Sequence, residues 1–283
     1  MVPFKYISPK TKVEVLKILR QENSKASIVA GCSNILPYIK DKLISGKLLV
    51  DISEIEELKY IKIIDNHLSI GPVTTISDLM NSEIIRKEYN ILFHAAEEFA
   101  DPIVRNTATI GGNLADASPA ADTAPPLLVL NAVLEIENLD GKRDVDLKDF
   151  FIGPRKNVLH NDEMITGIKI KNQSINKNGC FIKLGLRQAM AISLASIAMV
   201  LETGNGKITD VRIAMGSIAS KPLRLINVEE FLLNKKIDDA LIGESMKKVS
   251  ETVNPISDVR ASEDYRRYVS GILFKRAFQQ LTN

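Results

Sequence analysis

Thr107-Ala108-Thr109-Ile110-Gly111-Gly112-Asn113, followed at once by Leu114-Ala115-Asp116-Ala117-Ser118-Pro119-Ala120-Ala121-Asp122, is the stretch on which the reading of this chain turns. Adjacent glycines let a ligand approach the main chain closely. A loop that opens into a helix also points N–H groups outward, where they favour an anion such as a pyrophosphate. Thr109 and Asn113 add hydroxyl and amide donors, and Gly111 and Gly112 are expected to face the ligand rather than the core. The small residues that follow suit close packing on a flat ligand or a neighbouring helix. Among them Asp116 and Asp122 can accept hydrogen bonds from ribose or ribityl hydroxyls. Asp122 can also cap the helix behind it.

A second loop of this kind lies upstream. Val29-Ala30-Gly31-Cys32-Ser33-Asn34 ends a short buried strand and opens a helix that starts with Ile35 and Leu36. Neither loop is a P-loop, and no GxGxxG occurs, so a Rossmann dinucleotide fold is not indicated. Two such loops together point to a nucleotide.

Composition narrows the class. The chain has 283 residues, a length that suits two compact domains, and 37 basic against 35 acidic residues leave a net charge of +2. That balance offers no electrostatic footprint for nucleic acid or an anionic membrane. No apolar run reaches the roughly 18 residues of a membrane span, and the start lacks a signal-peptide core, so a cytoplasmic protein is expected. Cys32 and Cys180 are too few for an iron–sulfur cluster or structural zinc. His67, His94 and His160 are isolated, which argues against a metal site or a Ser-His-Asp triad.

The organisation reads as α+β. Ser8-Pro9 predicts the start of an amphipathic helix to about Glu22, and strands at 27–30 and 48–52 around a helix at 35–43 predict a small parallel unit. Hairpins are predicted at Asp65-Asn66 and Asp140-Gly141, and helices at 76–80, 91–99 and 122–130. The polar stretch 171–179 reads as a linker. We therefore expect a first domain over 1–175, with subdomains of about 1–55 and 56–175, and a second over 176–283. The latter reads as a three-stranded meander with a Gly204-Asn205-Gly206 turn, backed by helices at 228–233, 238–253 and 263–281.

At these residues the chain resembles the FAD-binding (medium) subunit of the xanthine dehydrogenase and carbon monoxide dehydrogenase family of molybdenum hydroxylases. Thr109 to Asn113 matches the family's TIGGN in full, and Ser118 to Asp122 its SPAAD. Ala30-Gly31-Cys32-Ser33-Asn34 stands in place of the first flavin loop, with Cys32 where glycine is common. If that position needs a positive φ, cysteine is strained there; the side chain otherwise reads as a small packing residue rather than a reactive thiol. Asp101 to Asn106 is similar to the lead-in DPQIRN, Asp162 to Ile165 to the DEI stretch, and Ala261 to Arg267 to ASxxYRR.

The resemblance implies a two-part FAD-binding fold of the vanillyl-alcohol oxidase (PCMH) type followed by a smaller α+β domain. It implies backbone amides of both loops, across Val29 to Leu36 and Thr109 to Asn113, on the FAD pyrophosphate. Asp116 and Asp122 would lie near ribityl or ribose hydroxyls. Phe99, Ala100, Ile165 and Lys183 would surround the isoalloxazine and phosphates. The molybdenum cofactor and the [2Fe–2S] clusters would sit on large and small partner subunits, in a dimer of heterotrimers, with NAD or another acceptor taking the electrons. The alternatives are a stand-alone flavin reductase of the same fold, for which no general acid or nucleophile stands out, and a scaffold that has lost its flavin, against which the intact TIGGN argues.

Overall fold

The computed structural model describes residues 4–41, 48–173, 178–187 and 190–282. A first unit contains strand β1 (Lys5–Ile7), helix α1 (Lys12–Glu22), β2 (Ala26–Val29), α2 (Ile35–Lys40) and β3 (Leu48–Asp51). β3 is central and pairs in parallel with both other strands, the small parallel unit predicted. α1 starts later than Ser8-Pro9 suggests because the Thr11 hydroxyl reaches the Glu14 N–H at 3.3 Å and takes the cap. The predicted end of the second helix, at 42–43, lies outside the described residues.

The middle unit contains β4 (Ile61–Ile64), β5 (His67–Ile70), α3 (Ile76–Asn81), α4 (Glu83–Glu88), α5 (Asn90–Glu97), α6 (Pro102–Thr107), α7 (Ile110–Ala115) and α8 (Ala124–Val129). It continues with β6 (Val133–Asn138), β7 (Gly141–Asp146), α9 (Leu147–Phe150), the short β8 (Phe151–Gly153) and β9 (Lys156–Asn157), and β10 (Met164–Lys171). Five strands form an antiparallel sheet in the order β4-β5-β10-β6-β7. Both predicted hairpins are present, with Asp65 and Asn66 at φ 48° and 60°, as a tight two-residue turn requires. A bulge between Ile165 and Gly167 lets Ile165 join Ile168 and Ile170 in one core although the first two are an odd number of residues apart. Glu163, from the DEI-like stretch, serves the fold: it receives a fork from Arg143 at 2.7 and 2.8 Å.

The last unit contains β11 (Gly179–Leu184), β12 (Ala195–Gly204), β13 (Lys207–Gly216), β14 (Leu223–Arg224), α10 (Ile226–Leu232), α11 (Asp239–Thr252) and α12 (Glu263–Thr282). The predicted three-stranded meander is there, and the two-residue β14 extends it. Residues 174–177 of the expected linker lie outside the described residues. The long strands read as unbroken apolar runs because both faces are covered. Cys180, Ile197, Met199, Leu201, Ile213 and Met215 pack on this unit's own helices, whereas Phe181, Ala198, Val200 and Ala214 join the core of the middle unit. Side chains alternate along a strand, so Lys183, two residues after Phe181, also points toward the middle unit.

Arg266, in the ASxxYRR-like stretch, explains that motif. Buried to 4% exposure, it donates to the carbonyls of Leu194 and Ser217 at 2.9 and 3.0 Å and to Asp258 at 2.7 Å. It ties α12 to the ends of the strands it covers. Among the described residues no helix is long and apolar enough to cross a membrane.

Candidate functional site

The two glycine loops, far apart in sequence, meet. A Cβ built on Gly31 would stand 1.7 Å from the carbonyl oxygen of Thr107, so the first loop lies directly on the backbone leading into the second. The side chains lock the contact: Asn34 donates to Asp116 Oδ2 at 2.9 Å, and the Tyr38 hydroxyl to Asp116 Oδ1 at 3.1 Å. Arg155 lies over the Tyr38 ring, 4.4 Å from its centroid, and Asn157 donates to the Ala115 carbonyl at 2.8 Å. Tyr38, Arg155 and Asn157 escaped the sequence reading. Only Tyr38 carried a signal, one helical turn beyond Asn34.

The loops differ in what they can offer an anion. Thr109 to Asn113 is the capped first turn of α7. The Ile110 N–H donates to Thr74 at 3.0 Å, Gly111 to Pro72 at 2.9 Å, Gly112 to the Thr109 hydroxyl at 3.1 Å and Asn113 to the Thr109 carbonyl at 2.9 Å. The amides of Ile110 to Asn113 are thus engaged inside the fold, while that of Thr109 meets no acceptor among the described residues. Gly111 is also buried rather than ligand-facing: a Cβ there would meet Pro72 at 2.6 Å. Gly112 is the exposed member of the pair. In the first loop, no acceptor among the described residues engages the N–H groups of Gly31, Cys32, Ser33 or Asn34. These are the amides free to cradle an anion. Ile35 and the exposed Leu36 continue into α2.

Downstream of the second loop, Asp122 forms a buried ion pair with the last unit. Lys183 meets Asp122 Oδ2 at 2.6 Å and donates to the Glu98 carbonyl at 2.9 Å, with both charged side chains under a tenth exposed. Asp122 does not cap α8; Thr123 holds that position, and the Asn113 amide oxygen accepts from the Thr123 hydroxyl at 2.6 Å. Asp122 Oδ1 is buried with no hydrogen-bond partner, an orphan acceptor that fits a ligand hydroxyl. Phe99 and Ala100 form the turn beside Glu98, with Ala100 at φ 38°. Ile165 lies in β10, 5% exposed within the apolar core of the middle unit.

Burial pushes the Asp122 carboxyl up to about 6, against the pull of Lys183. A carboxyl above its ordinary value of 3.8 binds its proton more tightly in the folded chain. Its contribution is full below about pH 4 and is lost as pH rises through about 6. Denaturant unfolding from about pH 4.5 to 7.5 should show Asp122→Asn gaining about 2–3 kcal/mol on the wild type as pH rises. Parallel profiles for the two proteins would refute this assignment.

Cys32 sits at φ 55°, the left-handed geometry expected if the position wants glycine. Its side chain packs beside Val29, Ile39 and Leu49, and burial, with Asp51 nearby, raises its pKa, so it is a packing residue and no activated thiolate. Cys32→Gly should relieve the backbone and change stability by under about 1 kcal/mol while flavin uptake is kept. A lost flavin in that variant would show that the thiol itself contributes. Among the described residues no group of three His, Cys, Asp or Glu side chains could hold a metal ion.

Comparison with known proteins assigns the family. Residues 2–171 match the FAD binding domain in molybdopterin dehydrogenase, and residues 181–281 match the CO dehydrogenase flavoprotein C-terminal domain. The chain is 33% identical over 278 residues to the glyceraldehyde dehydrogenase medium chain of Sulfolobus acidocaldarius, covering 98% of each. It is 29% identical to the nicotinate dehydrogenase FAD-subunit of Eubacterium barkeri, covering 98% of this chain and 96% of that one. A carbon monoxide dehydrogenase structure from Hydrogenophaga pseudoflava superposes with a TM-score of 0.94 at 29% identity, covering 99% of this chain and 98% of that one. With a flavin domain and a flavoprotein C-terminal domain in that order, the chain belongs to the FAD-binding medium-subunit family of the molybdenum-containing dehydrogenases, the xanthine and carbon monoxide dehydrogenase group of oxidoreductases.

Proposed function

We propose that this chain carries FAD between a partner [2Fe–2S] subunit and an external acceptor, within a molybdenum hydroxylase built as a dimer of heterotrimers. The observation that carries the reading is the row of N–H groups at Gly31 to Asn34 that no acceptor among the described residues engages, set directly on the Thr107 backbone. Those amides suit the doubly charged pyrophosphate of FAD, and the orphan oxygen of Asp122 suits one of its hydroxyls. Asn113 accepts from the Thr123 hydroxyl next to Asp122, and Lys183 holds Asp122 in place from the last unit. When bound, FAD can exchange electrons singly with clusters and in pairs with an acceptor such as NAD. The chain's own residues bind it, orient it and shield one side of it.

The division at 1–175 and 176–283, with subdomains of about 1–55 and 56–175, belongs to this proposal. The two cysteines are unpaired, which suits a reducing compartment, and we place the enzyme in the cytoplasm on that ground. Purified alone and reconstituted, the chain should take up one FAD without a covalent bond. It should not oxidise an aldehyde or purine, because that chemistry belongs to the large subunit. A chain that stays colourless with FAD, or that turns over such a substrate unaided, would sink the proposal. Co-purification with large and small subunits from the native cell tests the assembly.

A further inference from the structure

The C-terminal end of α5 is held by two cations, one from α6 and one from β11. The last carbonyls of a helix lack partners within it. Here Lys183 from β11 takes the Glu98 carbonyl at 2.9 Å, and Arg105 from α6 takes those of Glu97 and Phe99 through Nη1 at 2.7 and 3.1 Å. Three successive carbonyls are thus engaged by two side chains, a favourable placement of positive charge at a helix C-terminus. The chain then passes through Ala100 at φ 38°, a conformation an L-residue adopts only when its surroundings impose it. Asp101 stops the turn there by capping α6 through the Val104 N–H at 2.9 Å.

We infer that Arg105 is a positioning residue for the flavin site: its guanidinium holds the 97–100 turn so that Phe99 and Ala100 present a fixed surface to FAD. This rests on the proposed function, in which Asp122 accepts from FAD: Lys183 bonds both Asp122 and the Glu98 carbonyl, which sets the turn beside that acceptor. Among the described residues Arg105 pairs with no carboxylate, since Glu97 is engaged by His94 at 3.2 Å, so its hydrogen-bonding capacity goes to the turn. Both carbonyls are taken by the single nitrogen Nη1, so a lysine, with three donors on one nitrogen but a more flexible stem, can replace part of this hold.

The test uses the full chain stripped of flavin and titrated with FAD, following flavin fluorescence, visible circular dichroism and apo-protein melting. Arg105→Met should weaken FAD binding by about tenfold to a hundredfold and flatten the dichroism of bound flavin, while apo melting moves by only a few degrees. Arg105→Lys should recover part of both the affinity and the dichroism. Wild-type affinity and dichroism in Arg105→Met would overturn the inference and leave the flavin reading intact. A loss that tracks the melting point, with Lys no better than Met, would also overturn it. A wild-type chain that binds no FAD would overturn both.

Discussion

Gly31→Ala should abolish flavin uptake and destabilise the chain by about 3 kcal/mol, near the upper end of what overpacking normally costs. The added methyl carbon would stand 1.7 Å from the Thr107 carbonyl oxygen, 2.4 Å from its carbon and 2.9 Å from the Ala108 nitrogen. All three are backbone atoms, so no flexible side chain can swing aside. The first loop must lift, and with it four amides that no acceptor among the described residues engages. Gly243→Ala is the matched control: that glycine is exposed within α11 with nothing within 4 Å of a built Cβ. It should gain up to about 1 kcal/mol from helix propensity. FAD content and apo melting measured together decide the matter. If Gly31→Ala retained full FAD, the cradle could not lie at this junction.

Lys183→Met should cost about 3–5 kcal/mol, the usual penalty for stranding one charge of a buried pair. Three groups lose together: Asp122 Oδ2, the Glu98 carbonyl and the link between the last unit and the middle one. The carboxyl left behind, already displaced upward by burial, would hold its proton at neutral pH and cease to be an anionic acceptor. Flavin binding should therefore fall with stability. The double variant Lys183→Met/Asp122→Asn should regain a good part of the stability, because an amide needs no proton taken up at neutral pH to stay buried without a cation. Denaturant unfolding of the four proteins in the cycle gives the coupling. Strictly additive losses would mean that the pair contributes nothing as a pair.

Sequence alone was most informative where the physics is local. The hairpins at Asp65-Asn66 and Gly204-Asn205-Gly206 follow from residues that accept positive φ, and the structure has them at φ 48°, 60°, 52° and 72°. Cys32 posed its own question, whether that position is left-handed, and the answer at φ 55° is yes. Thr109-Ile110-Gly111-Gly112-Asn113 with Ser118 to Asp122 identified the family, and hence the two-part flavin fold and the domain behind it.

Which of those residues can touch a phosphate was a different matter, because a donor's availability depends on acceptors brought from elsewhere. The Ile110 and Gly111 amides are taken by carbonyls of Thr74 and Pro72, more than thirty positions upstream. Nothing in TIGGN announces them. Asp122 read equally well as a cap or a ligand acceptor. Its partner is Lys183, 61 residues away, which reaches it because β11 alternates and turns that side chain toward the middle unit. Local conformational preference is written in the residues themselves. The pairing of buried donors, acceptors and charges is set by which distant segments the hydrophobic cores bring into contact.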